Sequence, residues 1–129
     1  MIGRVTEKEK VRFKYRTAGI ALKDNYVLIH KSVENTYWSL PGGHVEMMET
    51  TSSALEREIE EEINVRVKVE RLVWTTENFY RRRSKLFHEV AFYYLISFPQ
   101  NQELYEVERD ALNCGIGKFA KEFKLKKRK

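Results

Sequence analysis

A chain of 129 residues, 42% hydrophobic and 12% aromatic, suffices for one domain with a modest core. Its single cysteine, Cys114, excludes an intrachain disulfide and fits a reducing cytosol. No apolar run approaches the ~18–20 residues of a membrane span, and the polar start MIGRVTEKEK argues against a signal peptide, so a cytoplasmic protein is expected. The net charge of +5 is a property of the tail: residues 118–129 carry seven Lys or Arg and one Glu, net +6, which leaves −1 for the other 117. A generic nucleic-acid-binding domain would carry its charge on a folded face.

Residues 1–9 read as a ragged start. From Lys10 to Arg16, Val11, Phe13 and Tyr15 alternate with Lys10, Arg12, Lys14 and Arg16, which predicts a half-buried strand with a basic outer face. Thr17 to Leu22 continues it, Lys23-Asp24-Asn25 is a turn signal, and Tyr26 to His30 returns, so Thr17–His30 is a hairpin. His30 reads as an ordinary strand residue. Arg16 and Lys31 stand where they could meet phosphates. Ser32 to Tyr37 is a polar loop, and Trp38, read as a packing residue, leads into Pro41-Gly42-Gly43. The two glycines let the backbone approach a ligand closely.

A helix follows over Thr51 to Ile63. The stretch has no Gly or Pro, Thr50 suits the N-cap, and Asn64 tolerates the left-handed turn that ends a helix. Leu55, Ile59 and Ile63 recur every four residues as an apolar stripe. Glu58, Glu61 and Glu62, at i, i+3 and i+4, share a patch beside that stripe. Carboxylates this close repel one another, and a partly buried edge sharpens the repulsion. They form either a solvated acidic face or a site for a hard divalent cation, which takes oxygen ligands.

After the helix, Val65, Val67 and Val69 alternate with Arg66, Lys68 and Glu70 as a further strand, which Leu72 to Trp74 extends or bends. Tyr80 to Lys85 is a basic loop. Leu86 to Phe98 is the longest strand, with Val90, Phe92, Tyr94 and Ile96 on one side and Glu89, Ala91 and Tyr93 on the other. Glu89, in so apolar a strand, needs a partner: an arginine, or a metal site. Glu106 to Phe123 has helical character interrupted by Gly115 and Gly117, and the tail reads as a solvated, disordered end or a basic amphipathic helix. No apolar strand is visible beyond Pro99.

The stretch Gly43 to Val65 resembles the Nudix box, G-x5-E-x7-R-E-U-x-E-E-x-G-U with U aliphatic. Glu49, Arg57, Glu58, Ile59, Glu61, Glu62 and Val65 fall at its fixed positions, and only Asn64 departs, replacing the last Gly. The preceding Trp38-Ser39-Leu40-Pro41-Gly42-Gly43 is also similar to the family. The resemblance implies one domain over 1–129, α+β, an α/β/α sandwich with a mixed sheet and a loop–helix–loop. It leaves the usual C-terminal elements without counterparts and 118–129 as a tail.

The resemblance further implies a metal-dependent pyrophosphohydrolase cleaving a nucleoside diphosphate linked to another moiety. It assigns Mg²⁺, with Mn²⁺ as a substitute, to Gly42, Glu58, Glu61 and Glu62. Arg57, Glu58 and Glu61 would be catalytic, Glu49 and Arg57 would pair to hold the helix against the loop, and Glu89 would be an additional acid. Nucleoside triphosphates, dinucleoside polyphosphates, nucleotide sugars and capped RNA ends are all substrates of this family. The expected partner is a nucleotide or other diphosphate-containing small molecule, with nucleic acid less favoured, no membrane, and a monomer or homodimer. The competing reading is a catalytically silent nucleotide- or RNA-binding protein of the same fold.

Overall fold

The computed structural model describes residues 10–23, 26–32, 37–99 and 121–127. Its elements are strands β1 (Lys10–Lys23), β2 (Tyr26–Ser32) and β3 (Gly42–His44), helix α1 (Thr51–Ile63), then β4 (Lys68–Arg82), β5 (Lys85–Ser97) and β6 (Lys121–Lys127). They form a mixed sheet in the order β4-β5-β1-β2-β6, with β3 also paired to β1. Among the described strands only the β1–β5 pair is parallel; β1–β2, β1–β3, β2–β6 and β4–β5 run antiparallel.

The helix forms as its sequence dictates. Thr50 caps it by accepting a hydrogen bond from the Ser53 amide at 3.1 Å, and Asn64 ends it in the left-handed region at φ 56°. Leu55 and Ile59 are fully buried against Ala21, Leu28, Val67 and Ile96. Burial of each stabilises the fold by about 1.5–3 kcal/mol, an upper figure because the unfolded chain hides some area too. Gly19 makes the close approach possible, since a Cβ there would lie 2.7 Å from Ile96 Cδ1. The helix therefore covers one face of the sheet, the side of Gly19, Ala21, Tyr94 and Ile96.

The first half of β1 differs from expectation. Val11 and Phe13 are 50% and 63% exposed, not half-buried. The reason is length: thirteen helical residues span roughly 20 Å, whereas the fourteen of β1 span roughly 46 Å at ~3.3 Å each. The helix covers the Thr17–Ala21 end and leaves the other end open on both faces.

Tyr80–Lys85 is also a correction. It is not a loop: β4 runs on to Arg82, β5 starts at Lys85, and Arg83-Ser84 alone turn the chain, at φ 51° and 60°. Both turn residues are left-handed, the requirement of a tight hairpin turn that usually selects Asn-Gly, so the sequence carried no turn signal. The solvated or helical tail is likewise corrected. Residues 121–127 pair with β2, Phe123 opposite His30 and Leu125 opposite Leu28, so a C-terminal strand does exist. The rest of the helix expected over 106–123, and with it a second helical layer, lies outside the described residues. The mixed sheet and the loop–helix–loop match the expected fold.

Replacing Arg83-Ser84 by Asn-Gly should stabilise the protein by about 1 kcal/mol, because Asn and Gly adopt the left-handed conformation of these two positions at lower cost than Arg and Ser. Urea unfolding should show a higher midpoint at unchanged slope.

Candidate functional site

Between β1 and β2 the sheet parts, and the segment Ser39–His44 fills the gap. His30 and Ser39 exchange backbone hydrogen bonds of 2.7 and 2.8 Å, the Gly19 amide donates to the Pro41 carbonyl at 2.8 Å, and β3 pairs with Arg16–Ala18. Gly42 sits at φ 157°, where a Cβ would strike the Thr17 carbonyl oxygen. At Gly43 a Cβ would strike the Glu58 carboxylate. Two glycines are thus required for β3 to lie on β1 and for Glu58 to lie on β3.

Arg57 organises the acids around this contact. Its Nε donates to Glu49 Oε2 at 2.7 Å, and its Nη2 donates to Glu49 Oε1 and to the His44 carbonyl, both at 3.0 Å. Its Nη1 donates to Glu58 at 3.1 Å and to Glu61 at 3.3 Å. All five guanidinium hydrogens are committed, in the bidentate geometry that makes Arg–carboxylate pairs strong. The Glu46 amide also donates to Glu49, at 3.0 Å. The Arg57 hydrogen bonds and then this amide hold the Glu49 carboxyl down at about 2. Glu58 moves the other way: burial raises its pKa, Arg57 opposes the shift, and the charges of Glu62 and Glu61 add to it.

Glu58 and Glu62 have side chains 19% and 11% exposed, while Glu61 is 60% exposed. Glu62 Oε2 lies 3.5 Å from Nδ1 of the buried His30. On the same side of β1, the hydroxyl of buried Thr17 has no hydrogen-bond partner among the described residues. His30 is a residue that sequence reasoning passed over. The signal was available: with Leu28 facing inward, strand alternation turns His30 inward too, and a polar side chain there needs a polar neighbour.

A cavity of about 430 Å³ opens beside His30, lined also by Arg16, Tyr37, Glu89 and Tyr93. Across it, Arg16 Nε stands 3.9 Å from Glu89. Of the residues singled out in the sequence, Glu49, Arg57, Glu58 and Glu61 form one bonded cluster adjoining Gly42-Gly43. Glu62 links that cluster to the cavity through His30, and Arg16 and Glu89 meet each other at the cavity wall. Lys31 does not join them; its Nζ lies over the Trp38 ring at 5.2 Å.

The donor set fits a hard divalent cation. Glu49, Glu58, Glu61 and Glu62 bring four carboxylates against one guanidinium, and the excess negative charge is partly desolvated, where it is most costly. Among the described residues no three His, Cys, Asp or Glu side chains already converge as a cage. Mg²⁺ does not need one, since it binds through one or two carboxylates and completes its shell with water and phosphate oxygens.

The linkage of Glu49 sets an acid-stability test. Its carboxyl is depressed to about 2 from the ordinary 4.5, so its contribution is full above pH 4.5 and is lost as the pH falls toward 2. Urea midpoints measured across that interval should fall more steeply for the wild type than for Glu49→Gln.

Comparison with known proteins gives a consistent result. The NUDIX domain family model matches residues 14–113. A curated "MutT-like protein" of Streptomyces ambofaciens is 36% identical over 62 residues, 47% of this chain and 40% of that protein. The solved MutT NUDIX hydrolase of Burkholderia pseudomallei is 28% identical, with TM-score 0.55 and 67% of each chain covered. The MutT structure from methicillin-resistant Staphylococcus aureus 252 is also 28% identical, with TM-score 0.52 and 70% of each chain covered. A UDP-X diphosphatase, TM-score 0.58 at 19% identity, shares the fold over 87% of this chain and 49% of its own. The chain thus spans about half or less of the length of two of these relatives.

Proposed function

Since the chain belongs to the Nudix hydrolase family, we propose that it is a Mg²⁺-dependent pyrophosphohydrolase acting on a nucleoside diphosphate linked to another moiety. The observation that carries this reading is the Arg57 cluster, in which one guanidinium pins Glu49, the His44 carbonyl, Glu58 and Glu61 beside Gly43. Such a lattice fixes carboxylates in place against their mutual repulsion, at some cost in electrostatic energy. That arrangement makes sense when a cation is to be held.

Glu58, Glu61, Glu62 and the Gly42 carbonyl would hold Mg²⁺, or Mn²⁺ in its stead. When bound, the ion neutralises the diphosphate, polarises its P–O bonds and lowers the pKa of water. The chain's own work is positional. Arg57 and Glu49 lock the first turns of α1 to the loop, and His30 orients Glu62 from the sheet side. Arg16 faces the cavity as a contact for a substrate phosphate. A carboxylate of the box, or Glu89 from the cavity wall, takes the proton as water adds to phosphorus. The P–O bond of the anhydride then breaks, and two phosphate products leave.

Three measurements test this. Release of nucleoside monophosphate from a panel of nucleoside diphosphate derivatives should require Mg²⁺, stop with EDTA, and fall about 10²–10⁴-fold in Glu61→Gln, the range for a positioned acid or base. Binding of the same compounds without release would establish the silent reading instead. Arg57→Ala should lose about 10–100-fold or more in kcat with its circular dichroism unchanged; wild-type kcat would reduce Arg57 to a surface partner of Glu61. His30→Ala should weaken Mn²⁺ binding about tenfold by electron paramagnetic resonance titration, and His30→Gln should recover part of it.

A further inference from the structure

On the α1 side of the sheet, beyond the end of the helix, lies a patch that hydrolysis of a small molecule does not use. Across β4, β5 and β1 the register sets Phe79, His88 and Phe13 in one row. The Phe79 ring stacks on His88 at 4.3 Å between centroids, and Phe13 meets the same imidazole edge-on at 5.3 Å. Two residues to either side of this row, on the same face, stand two further rows. Tyr15, Val90 and Glu77 lie toward the helix, and Val11, Leu86 and Arg81 lie toward the hairpin tip. Phe79 is 53% exposed, and Val11, Phe13 and Tyr15 are exposed with it. On the middle strand Val90 is half-buried and Leu86 buried. The Val45 amide donates to the Tyr15 carbonyl at 2.9 Å, so the loop bearing the fully exposed Met47 and Met48 leaves the sheet at the rim of the patch. Lys10, Arg12 and Lys14 alternate onto the other face of β1.

We propose that this patch is the interface of a two-fold symmetric dimer, in which the same patch of a second copy covers it. The patch is self-complementary. Let the axis run along the Phe79–His88–Phe13 row, midway between two sheets about 10 Å apart. Each residue then faces the one an equal distance beyond the row in the other copy, as a closed two-fold contact requires. Val11 faces the partner's Tyr15, Leu86 faces the partner's Val90, and Phe13 faces the partner's Phe13. Glu77 faces the partner's Arg81, and Arg81 faces the partner's Glu77, so the acid and the base of these rows are paired twice. An axis moved one residue either way would set Glu77 or Arg81 against the partner's Phe79. The helices fit as well. The strand ends Lys10, Arg82 and Lys85 lie three residues beyond the row, and Thr17, where α1 covers the sheet, lies four residues on the other side. At ~3.3 Å per residue these are roughly 10 and 13 Å, so the tip of one copy stops short of α1 of the other. Val11, Phe13, Tyr15 and Phe79 expose roughly 350 Å² together, at about 150–250 Å² for a whole aromatic side chain. A standard interface buries ~800 Å² per partner, a little over half of it non-polar, so the patch supplies most of the apolar share. Its charges also select the occupant: one acid and one base on an apolar field match neither an anionic membrane nor a polyanion. This inference goes beyond the proposed hydrolysis and does not depend on it.

The test is sedimentation equilibrium of the full chain, which should show twice the 15.4 kDa of one copy and fall toward the monomer on dilution. Phe13→Ser should raise the dimer Kd about thirtyfold or more, because a central aromatic is lost from both sides at once. Glu77→Arg and Arg81→Glu should each weaken the dimer about tenfold or more, and Glu77→Arg/Arg81→Glu should recover most of that loss. The two positions stand roughly 13 Å apart along one strand, too far to pair within a copy, so the recovery reports a contact across the axis. Circular dichroism of every variant should match the wild type. If Phe13→Ser fails to fold, the charge variants, at exposed positions, carry the test. The dimer is overturned if the wild type sediments as a monomer up to about 1 mM, the weak end of specific association. It is equally overturned if Phe13→Ser folds and associates as tightly as the wild type, or if the charge exchange recovers nothing. Binding of a monomeric wild type to phosphatidylserine-containing vesicles, lost in Phe13→Ser, would overturn it in favour of a lipid surface. The readout is mass and not turnover, so failure here leaves the hydrolase reading untouched.

Discussion

One guanidinium governs this protein. Among the described residues Arg57 supplies the positive charge to Glu49, Glu58 and Glu61, and it also reaches the His44 carbonyl, so loop and helix share a common pin. An ammonium could not replace it: a point charge with three donors cannot serve a bidentate carboxylate, a carbonyl and two further acids at once. The glycines obey the same constraint from the other side, because Arg57 can draw Glu58 against β3 only where the strand has no side chain. Sequence spacing, backbone close approach and charge balance therefore specify one another here.

That mutual dependence explains what was legible. The box could be read because each of its positions answers to local geometry: Thr50 and Asn64 to the ends of α1, Leu55 and Ile59 to its buried side, Glu58 and Glu62 to the boundary of that side. β1 and β5 were legible by alternation and β2 by the turn signal before it, and the two faces of β5 were correctly divided, as the ring contacts of Phe92 and Tyr93 on opposite sides confirm.

What was missed depended on partners distant in the chain. β6 has the alternation of a strand in Phe123 and Leu125, but its lysines resemble a solvated tail until β2 is placed beside it. β4 was cut short because Thr75 to Asn78 has little apolar content; its thirteen paired positions come from the β5 register, not from its own side chains. The Arg83-Ser84 turn offered no glycine or asparagine to mark it. His30 looked ordinary because Glu62, its neighbour in space, lies 32 residues away in sequence (30 to 62). The exposure of Val11 and Phe13 followed from the reach of a single short helix, which no residue of β1 records.

The parallel pairing of β1 with β5 has a further consequence for how the chain is made. Lys10 meets Lys85, a partner roughly 75 residues later in the chain (10 to 85). At a ribosomal rate of about 5–20 residues per second, the first strand emerges several seconds before the second exists. During that interval its neighbours among the described strands are β2 and β3. A newly made β1, rich in alternating cations along its free edge, is thereby protected from pairing with other nascent chains, since charged edge residues oppose such contacts. The basic row can act first as a guard against aggregation on the ribosome, well before the finished sheet exists.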